Sequence, residues 1–296
     1  MHANIISFLE ESRASGRLYR HGKLPDAGAQ LFSLTRLESL LSNPLLTPNW
    51  VRLSVNNGPR PLEHMEHWKL VQRKELRFLE KTSLLEALQA GGALVLEGLD
   101  ILDPTINEIC SAIDESLPCA LSNCEAFFSQ RGNEAYQGHC DSDDVLAIQI
   151  SGRKDWNLYS QQQRRYVGNA ELTEDQMGPV IETIQMRAGD ILFVRAGVPH
   201  RCATVEGHSL HLSFDLCDRS PNAEQFTSVA NRLYNARLPA CHSGVPLALQ
   251  TYVEIIESPD FSEAMIEECL RIRSQVLEFR KRIAAAHLTV PLRDIN

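Results

Sequence analysis

The stretch of sequence that decides the fold is Gln137–Trp156, QGHCDSDDVLAIQISGRKDW. A histidine, a cysteine and three aspartates crowd into the segment that begins at His139, and an apolar run typical of a buried strand follows at Val145. His139 and Asp141 are two residues apart, so their side chains leave the same face of an extended segment. The stretch therefore predicts two ligands for one ion at the mouth of a strand.

A second stretch, Met186–Cys202 (MRAGDILFVRAGVPHRC), offers a third ligand. It predicts a turn, a strand over Ile191–Val194, a Gly-Val-Pro turn, and then His200 at the start of the next strand. His200 follows His139 by 61 residues (200 − 139). Two imidazoles and one carboxylate bind one face of an octahedral ion and leave the other positions open, which is the arrangement of non-haem Fe(II) oxygenases. The alternative is that both histidines are ordinary loop residues.

The composition argues against several classes of function. A formal net charge of −9 disfavours a nucleic-acid binder that works by bulk charge. The eight cysteines form no CxxC pair, which favours free thiols in a reducing cytoplasm over a disulfide framework. No window approaches 18 consecutive apolar residues, and the N-terminus reads as a short amphipathic helix. We therefore expect a cytoplasmic protein without a membrane partner.

Hydrophobic periodicity divides the chain into three parts. The first hundred residues and the segment after them mix helices with one buried strand, predicted as helices Leu34–Leu41, Glu66–Gln89 and Asp103–Leu117 and a strand within Gly91–Asp100. Short strands follow, predicted at Ala120–Phe128, Val145–Ile150, Trp156–Tyr159, Ile181–Met186, Ile191–Val194 and Ser209–Leu216. Helices return after Asp218, predicted at Asn222–Arg237, Pro246–Ser258 and Phe261–Ala286. Many closely spaced short strands predict a sandwich or a barrel in the middle part.

The two ligand-bearing stretches carry a more specific pattern. The first half of the pattern comprises His139, Asp141, Val145, Gln149, Gly152, Lys154 and Trp156. The second half comprises Gly189, Asp190, Ile191, Leu192, Gly197 and His200, followed by Ser209–Ser213 (SLHLS). From Ala120 to Leu216 the chain resembles the JmjC family of Fe(II)- and 2-oxoglutarate-dependent oxygenases, and within it the ribosomal oxygenase branch.

The resemblance implies a fold class and an arrangement of domains. The fold would be mainly β with α: a double-stranded β-helix, the jelly-roll or cupin barrel of the JmjC family, with N-terminal helical elements and a C-terminal helical segment. The expected parts are residues 1–100 packed on the barrel, the barrel at 101–218, and helices at 219–296. The long last helix packs either on its own domain or on a second copy of the chain, which would be a homodimer.

The same resemblance assigns roles to individual residues. His139, Asp141 and His200 would bind Fe(II), with 2-oxoglutarate and O₂ as co-substrates. Lys154 would pair with the distal carboxylate of 2-oxoglutarate, for which a fixed lysine charge is suited; without the resemblance it reads equally well as a solvated turn lysine. Ser209 is a second candidate for that carboxylate. Trp156 is expected in the core.

Two departures from the family pattern lie close to the ligands. The family often has a tyrosine twelve residues before the first histidine, whose hydroxyl helps to hold 2-oxoglutarate; this chain has Phe127 there. Ser129 or a water could replace the lost hydrogen bond. Cys140 stands in place of the common aromatic residue, and the nearby Asp143 and Asp144 are interpreted as a solvated turn or as substrate contacts.

The expected function is hydroxylation of a C–H bond in an amino-acid side chain of a protein or peptide, with a basic residue favoured by the acidic balance. Tailoring of a small molecule or natural-product peptide is the main alternative. A cupin-fold metal-binding protein without turnover, and a metal hydrolase or isomerase on the same barrel, are further alternatives. Demethylation of methyl-lysine uses the same chemistry but ranks below hydroxylation, because no reader module is evident.

Other histidines carry weaker signals. His64 and His67 are three residues apart on an expected helix and could bind metal, but a surface pair is favoured because no third ligand is evident. His208 and His211 flank Ser209 and are interpreted as barrel or surface residues.

Overall fold

The computed structural model describes residues 1–24, 28–55, 58–59, 66–71, 74–117, 120–130, 137–161, 170–218, 223–237 and 249–287. The helices in these residues are α1 (His2–Ala14), α2 (Gly28–Leu31), α3 (Leu34–Leu41), α4 (Lys81–Gln89), α5 (Leu99–Leu102), α6 (Pro104–Ser116), α7 (Glu174–Met177), α8 (Ala223–Arg237), α9 (Leu249–Ile256) and α10 (Pro259–Ala286). The strands are β1 (Tyr19–Lys23), β2 (Val51–Val55), β3 (Gly58–Pro59), β4 (Glu66–Val71), β5 (Lys74–Leu79), β6 (Ala93–Leu96), β7 (Ala120–Gln130), β8 (His139–Cys140), β9 (Asp144–Tyr159), β10 (Ala170–Glu171), β11 (Val180–Arg187), β12 (Asp190–Val194), β13 (His200–Ala203) and β14 (His208–Asp218).

The chain forms two compact units. The first comprises Met1–Ile113 and Ser122–Cys217, and the second comprises Asp114–Leu121 and Asp218–Asn296. The first unit holds the sheet, and the second is built around the last three helices. The domain boundary expected at residue 100 stays a prediction.

The central strand of the sheet is β9, which pairs with different strands along its length. Its first half, up to Gly152, pairs antiparallel with β12 and β14, and its second half pairs with β11 and β13. The sequence predicted two strands here, Val145–Ile150 and Trp156–Tyr159, where the structure has one strand that continues between them. The change of partners places both halves of β9 around one interior, as a barrel requires.

Gly152 makes this change of partners possible. Its φ is +68°, in the left-handed region that favours glycine, and a Cβ there would lie 1.8 Å from the carbonyl oxygen of His208 on β14. The register between β9 and β14 also shifts between Leu210 and His211, which marks a bulge. Glycine is therefore required where the strand turns, two residues before Lys154.

Several helix and strand predictions are confirmed. Leu34–Leu41 is helical as predicted, and β6 is fully buried. Helix α6 begins at Pro104, and the Asp103 carboxylate caps it by accepting from the backbone N–H groups of Thr105 and Ile106.

The predicted helix over Glu66–Gln89 is wrong in its first part. Residues 66–71 and 74–79 are two antiparallel strands, and the helix begins only at Lys81. Apolar residues alternate in these strands, with Trp68 and Leu70 in one and Leu76 and Phe78 in the other. That period of two favours a hairpin over a helix. His67 therefore lies on a strand, which excludes the expected helical pairing with His64; His64 itself lies outside the described residues.

The second unit has its own small core and one buried ion pair. Its core cluster contains Val229, Ala230, Ile255, Phe261 and Ala264. Arg280 of α10 donates from Nε to the Asp114 carboxylate at 2.6 Å, and both side chains are almost fully buried.

None of the helices in the described part of the chain is both long and apolar enough to cross a membrane.

Candidate metal centre

Three side chains converge at one end of the sheet in the first unit. His139 lies on β8 and His200 on β13, where the two residues are register partners, and Asp141 follows directly after β8. The Nε2 atoms of His139 and His200 lie 3.7 and 3.5 Å from the two oxygens of Asp141. The ligand atoms of the three residues all lie within 4.8 Å of one another. The sequence-predicted ligands are thus brought together, and in the described residues this is the group that could hold a metal.

The backbone orients both imidazoles for metal binding. His139 Nδ1 lies 2.8 Å from the carbonyl oxygen of Gln137, and His200 Nδ1 lies 3.1 Å from that of Val198. A carbonyl oxygen only accepts hydrogen bonds, so each Nδ1 is the donor, and each Nε2 is the ring nitrogen that lies toward Asp141. Burial and the neighbouring His139 lower the pKa of His200 to about 4, so this imidazole is neutral and available as a ligand at neutral pH.

Trp156 supports the second histidine. Its ring is 3 % exposed and stacks on His200 with centroids 5.3 Å apart. It belongs to a hydrophobic cluster that includes Ala147, Leu158 and Leu192. The expectation that Trp156 lies in the core therefore agrees with its position, and that core forms the wall behind His200.

Lys154 lies inside the barrel. The residue is 1 % exposed, so the alternative of a solvated turn lysine is excluded. Its Nζ donates to the Ser129 hydroxyl at 2.8 Å, and Ser129 lies 2.7 Å from the Thr204 hydroxyl. Ser129 and Thr204 are both 1 % exposed. A buried ammonium beside two hydroxyls is a suitable environment for a carboxylate.

Ser209 is buried, and its hydroxyl contacts another side chain of the barrel. Gln149 Nε2 donates to the Ser209 hydroxyl at 2.9 Å. Gln149 and Ser209 are both fully buried. The predicted role of Ser209 toward a carboxylate stays a prediction, whereas Ser129 contacts the lysine directly.

Polar atoms without a partner line the same interior. Within the described residues, the buried Gln149 Oε1, Trp156 Nε1 and His211 Nδ1 have no hydrogen-bond partner. Buried polar groups are nearly always paired, so unpaired ones signal an occupant with hydrogen-bonding groups. A small polar ligand in the barrel fits this observation.

The sequence indicated only a barrel or surface residue at His211, and the structure places its ring inside the barrel. The ring is 4 % exposed and stacks on Phe127, with centroids 4.8 Å apart and an interplanar angle of 12°. Burial and the charge of Lys154 lower its pKa well below the usual range, so His211 is neutral. By contrast, His208 is half-buried and lies 2.7 Å from the Ser151 hydroxyl.

The sequence did not indicate that two acidic residues, Glu125 and Asp215, lie inside the barrel. Glu125 alternates on β7 with Phe127 and Ser129, and Asp215 alternates on β14 with His211, so both carboxylates belong to the face that lines the interior. Burial, and then repulsion from Glu97 and Asp141, raises the pKa of Glu125 to about 7 against the opposing effect of Arg52.

Asp215 is in the same situation. Burial, and then repulsion from Glu125 and Asp141, raises the pKa of Asp215 to about 7. Arg52 donates to Glu125 at 2.8 Å and also pairs with Glu97, so its charge is shared. The two acids could have been found only by knowing that β7 and β14 present these positions inward.

Comparisons with known proteins show which proteins this chain is similar to. The JmjC domain family matches residues 101–226. A relative from Dictyostelium discoideum, named bifunctional lysine-specific demethylase and histidyl-hydroxylase NO66, is 24% identical over 159 residues, which is 51% of this chain and 31% of the relative. Its counterpart in Drosophila erecta is 24% identical over 212 residues, which is 66% of this chain and 30% of the relative. The chain thus spans less than a third of the length of these curated relatives.

A solved structure has the same fold. YcfD, a ribosomal oxygenase from Escherichia coli in complex with cobalt and 2-oxoglutarate, aligns with a TM-score of 0.53 at 18% identity over 90% of this chain and 70% of that chain. The predicted fold class, a mainly antiparallel cupin-type barrel with added helices, is therefore confirmed. The chain carries a JmjC domain. The matched domain and the shared barrel agree with the class that the sequence resembles, the Fe(II)- and 2-oxoglutarate-dependent oxygenases.

The residues present fit the cofactors of that class. Two imidazoles and a carboxylate suit Fe(II) with open positions for other ligands. The buried ammonium of Lys154 and its hydroxyl neighbours suit the far carboxylate of 2-oxoglutarate. Phe127 has no hydroxyl to offer, and the Ser129 hydroxyl that the sequence suggested as a replacement does contact Lys154.

Proposed function

We propose that this protein is an Fe(II)- and 2-oxoglutarate-dependent oxygenase that hydroxylates a C–H bond of an amino-acid side chain in a protein or peptide. The observation that carries the proposal is the convergence of His139, Asp141 and His200 in the same barrel that buries Lys154. A simple metal-binding cupin needs the three ligands but has no need of a buried ammonium.

Each residue has a defined task in this proposal. Fe(II), 2-oxoglutarate and O₂, when bound, supply the oxidising power for hydroxylation while 2-oxoglutarate is converted to succinate and CO₂. His139, Asp141 and His200 hold the metal, and the carbonyls behind the imidazoles keep Nε2 directed at it. Lys154 orients the co-substrate through its far carboxylate, and Trp156 excludes water from behind His200.

The substrate group we propose is a cationic side chain, arginine or lysine. Glu125 and Asp215 face the interior; Asp141 raises the pKa of both carboxyl groups, and Glu125 also raises the pKa of Asp215. Two carboxylates that repel each other are stabilised when a positive charge binds between them, and one guanidinium can form hydrogen bonds with both. An uncharged small molecule, the alternative substrate, gains nothing from this arrangement.

The names of the relatives leave several target groups open. The NO66 proteins are named for lysine demethylation and histidine hydroxylation, and YcfD is called a ribosomal oxygenase. For this chain, hydroxylation of a cationic side chain is the proposal, and demethylation remains the second use of the same chemistry.

A peptide-array assay tests the proposal. The Fe(II)-loaded protein is incubated with 2-oxoglutarate, O₂ and peptides that differ only in a central Arg, Lys, His, Gln or Leu. We expect succinate formation coupled to a mass gain of one oxygen on the Arg or Lys peptides. Asp141→Asn should abolish both signals, and His208→Phe, on the same sheet outside the site, should leave them unchanged.

The outcomes separate the alternatives. Oxygen gain on a small molecule but on none of the peptides would support the tailoring function. Metal binding without 2-oxoglutarate consumption under any condition would leave a cupin with another activity.

We also propose that the protein forms a homodimer through its C-terminal helices. Ile266 and Leu270 are each 60% exposed and lie four residues apart on α10, so they share one face of that helix. Light scattering after chromatography should give twice the chain mass, and Ile266→Glu with Leu270→Glu should halve it. A wild-type monomer at tens of micromolar would contradict the dimer.

A cytoplasmic location, supported by free cysteines such as Cys110 and Cys124, is part of the proposal.

A further inference from the structure

Among the described residues, His211 is a buried polar side chain to which the metal ligands and the Lys154–Ser129 contact assign no role. It lies on β14 opposite Gln149 of β9, which puts both side chains on one face of the sheet. Phe127 covers one face of its ring, and the ring of Trp156 approaches edge-on with centroids 5.9 Å apart. The imidazole is therefore fixed in orientation by aromatic neighbours.

The ring has a hydrogen-bonding atom that nothing described in the chain satisfies. His211 Nδ1 is fully buried and has no partner among the described residues. The imidazole is neutral, so one of its nitrogens carries a proton and can donate without bringing a second positive charge beside Lys154. Phe127, stacked on it, has no polar atom that could do so.

The nature of the missing partner follows from the neighbours. Phe127, which stacks on His211, and Ser129, which accepts from Lys154, are two residues apart on β7 and so share one face of that strand. His211 and Lys154 therefore border the same interior, and the charge of Lys154 also lowers the pKa of His211. Lys154 and Ser129 already supply positive charge and a hydroxyl. A group with several acceptor atoms, such as a carboxylate, would satisfy all three at once, whereas a lone water would leave most of their capacity unused.

We propose that His211 donates a hydrogen bond from Nδ1 to the far carboxylate of the 2-oxo dicarboxylic acid held by Lys154, and so helps to select a dicarboxylate over a monocarboxylate. This inference rests on the proposed function. It assigns to His211 a selectivity role, in contact with the co-substrate and away from the metal.

The test compares two ligands on matched variants without turnover. The protein is loaded anaerobically with Mn(II), and the dissociation constants of 2-oxoglutarate and of 2-oxobutyrate, which lacks the far carboxylate, are measured by calorimetry. His211→Phe keeps the stacked ring and removes both nitrogens, and His211→Asn restores a donor. His208→Phe is the control for the same exchange on the same strand.

The expected result is a selective loss. Because hydrogen bonds to charged groups are the stronger ones, His211→Phe should weaken 2-oxoglutarate by about 10- to 100-fold and leave 2-oxobutyrate within about twofold. His211→Asn should recover part of the loss, and His208→Phe should bind both ligands like the wild type. In the wild type, a new downfield ring N–H signal from His211 should accompany 2-oxoglutarate binding.

Other outcomes overturn the inference. Equal losses for both ligands would mean that His211 only supports the shape of the barrel, and no loss would mean that it does not contact the carboxylate. Either result would leave the proposed function standing as long as the wild type binds 2-oxoglutarate. Failure of the Mn(II)-loaded wild type to bind 2-oxoglutarate would overturn the proposed function and this inference with it.

Discussion

Replacing Asp215 by Asn should stabilise the metal-free protein at alkaline pH. Asp215 faces Glu125 and Asp141 inside the barrel, and burial together with their repulsion raises its pKa from 3.8 to about 7. The folded protein therefore holds this proton more tightly than the unfolded chain does. The free energy of unfolding must fall as the pH rises from about 4 to about 7 and then stay level, because this is the range in which the folded state binds more protons.

The magnitude follows from the pKa. A tenfold change in proton affinity is worth about 1.4 kcal/mol, so the change from 3.8 to about 7 corresponds to roughly 4 kcal/mol at full ionisation. Asp215 is only partly buried, and Glu125 takes up part of the proton, so we expect about 2–3 kcal/mol for Asp215→Asn at pH 8. At pH 4 the gain should be close to zero.

Urea unfolding of the chelator-treated protein at pH 4, 6 and 8 measures this gain. Metal must be absent, because a divalent ion on Asp141 would draw the neighbouring carboxylates toward their charged forms. The control is Asp175→Asn, an exposed carboxylate on α7, which should change the stability little at any pH. A variant that is less stable than the wild type at pH 8 would refute the reasoning, because Asp215 would then be paired favourably.

The same variant tests the substrate proposal. The free energy that Asp215 costs in the empty site is recovered when a cation binds, so the stabilised Asp215→Asn protein should bind an Arg peptide about 10-fold or more weakly. If Asp215→Asn is stabilised but binds the peptide as tightly as the wild type does, the repulsion inside the barrel is real, and the proposal of a cationic substrate is contradicted.

The remaining predictions concern single positions. Lys154→Met should raise the dissociation constant of 2-oxoglutarate by about 100-fold or more in anaerobic calorimetry, while Fe(II) binding persists; unchanged affinity would contradict its assignment. Arg280→Met should destabilise the protein by about 3–5 kcal/mol in urea unfolding, because it removes the guanidinium from the buried Asp114; the double variant with Asp114→Leu should recover much of this. Gly152→Ala should cost about 2 kcal/mol or more and lower 2-oxoglutarate affinity, because its Cβ would meet the His208 carbonyl; a fully stable variant would show that β9 can turn without glycine.

The metal ligands could be predicted from the sequence because their signal is local. His139 opens one short strand, Asp141 follows it two residues later, and His200 opens another strand, so spacing and turn residues suffice to propose the group. The position of Lys154 needed more than that. The residues GRKDW read equally well as a solvated turn, and only the left-handed Gly152 and the pairing of β9 with β11 carry the lysine inside.

The residues that complete the site depend on long-range pairing. His211, Glu125 and Asp215 lie inside because of how β7 and β14 join the sheet and because of the bulge after Leu210. A shift of one residue would reverse their direction, and local sequence does not fix it. The hairpin at 66–79 was missed for a different reason: its alternation is short and merges with the helical spacing of α4.

The most direct measurement of the central claim is anaerobic visible spectroscopy. Fe(II) and then 2-oxoglutarate are added to the purified protein, and the charge-transfer band of an iron-chelated 2-oxo acid is sought in the wild type and in His200→Ala. The account predicts the band in the wild type at one equivalent of iron and its loss in the variant. A wild type that binds iron without the band, or a variant that keeps it, would contradict the account.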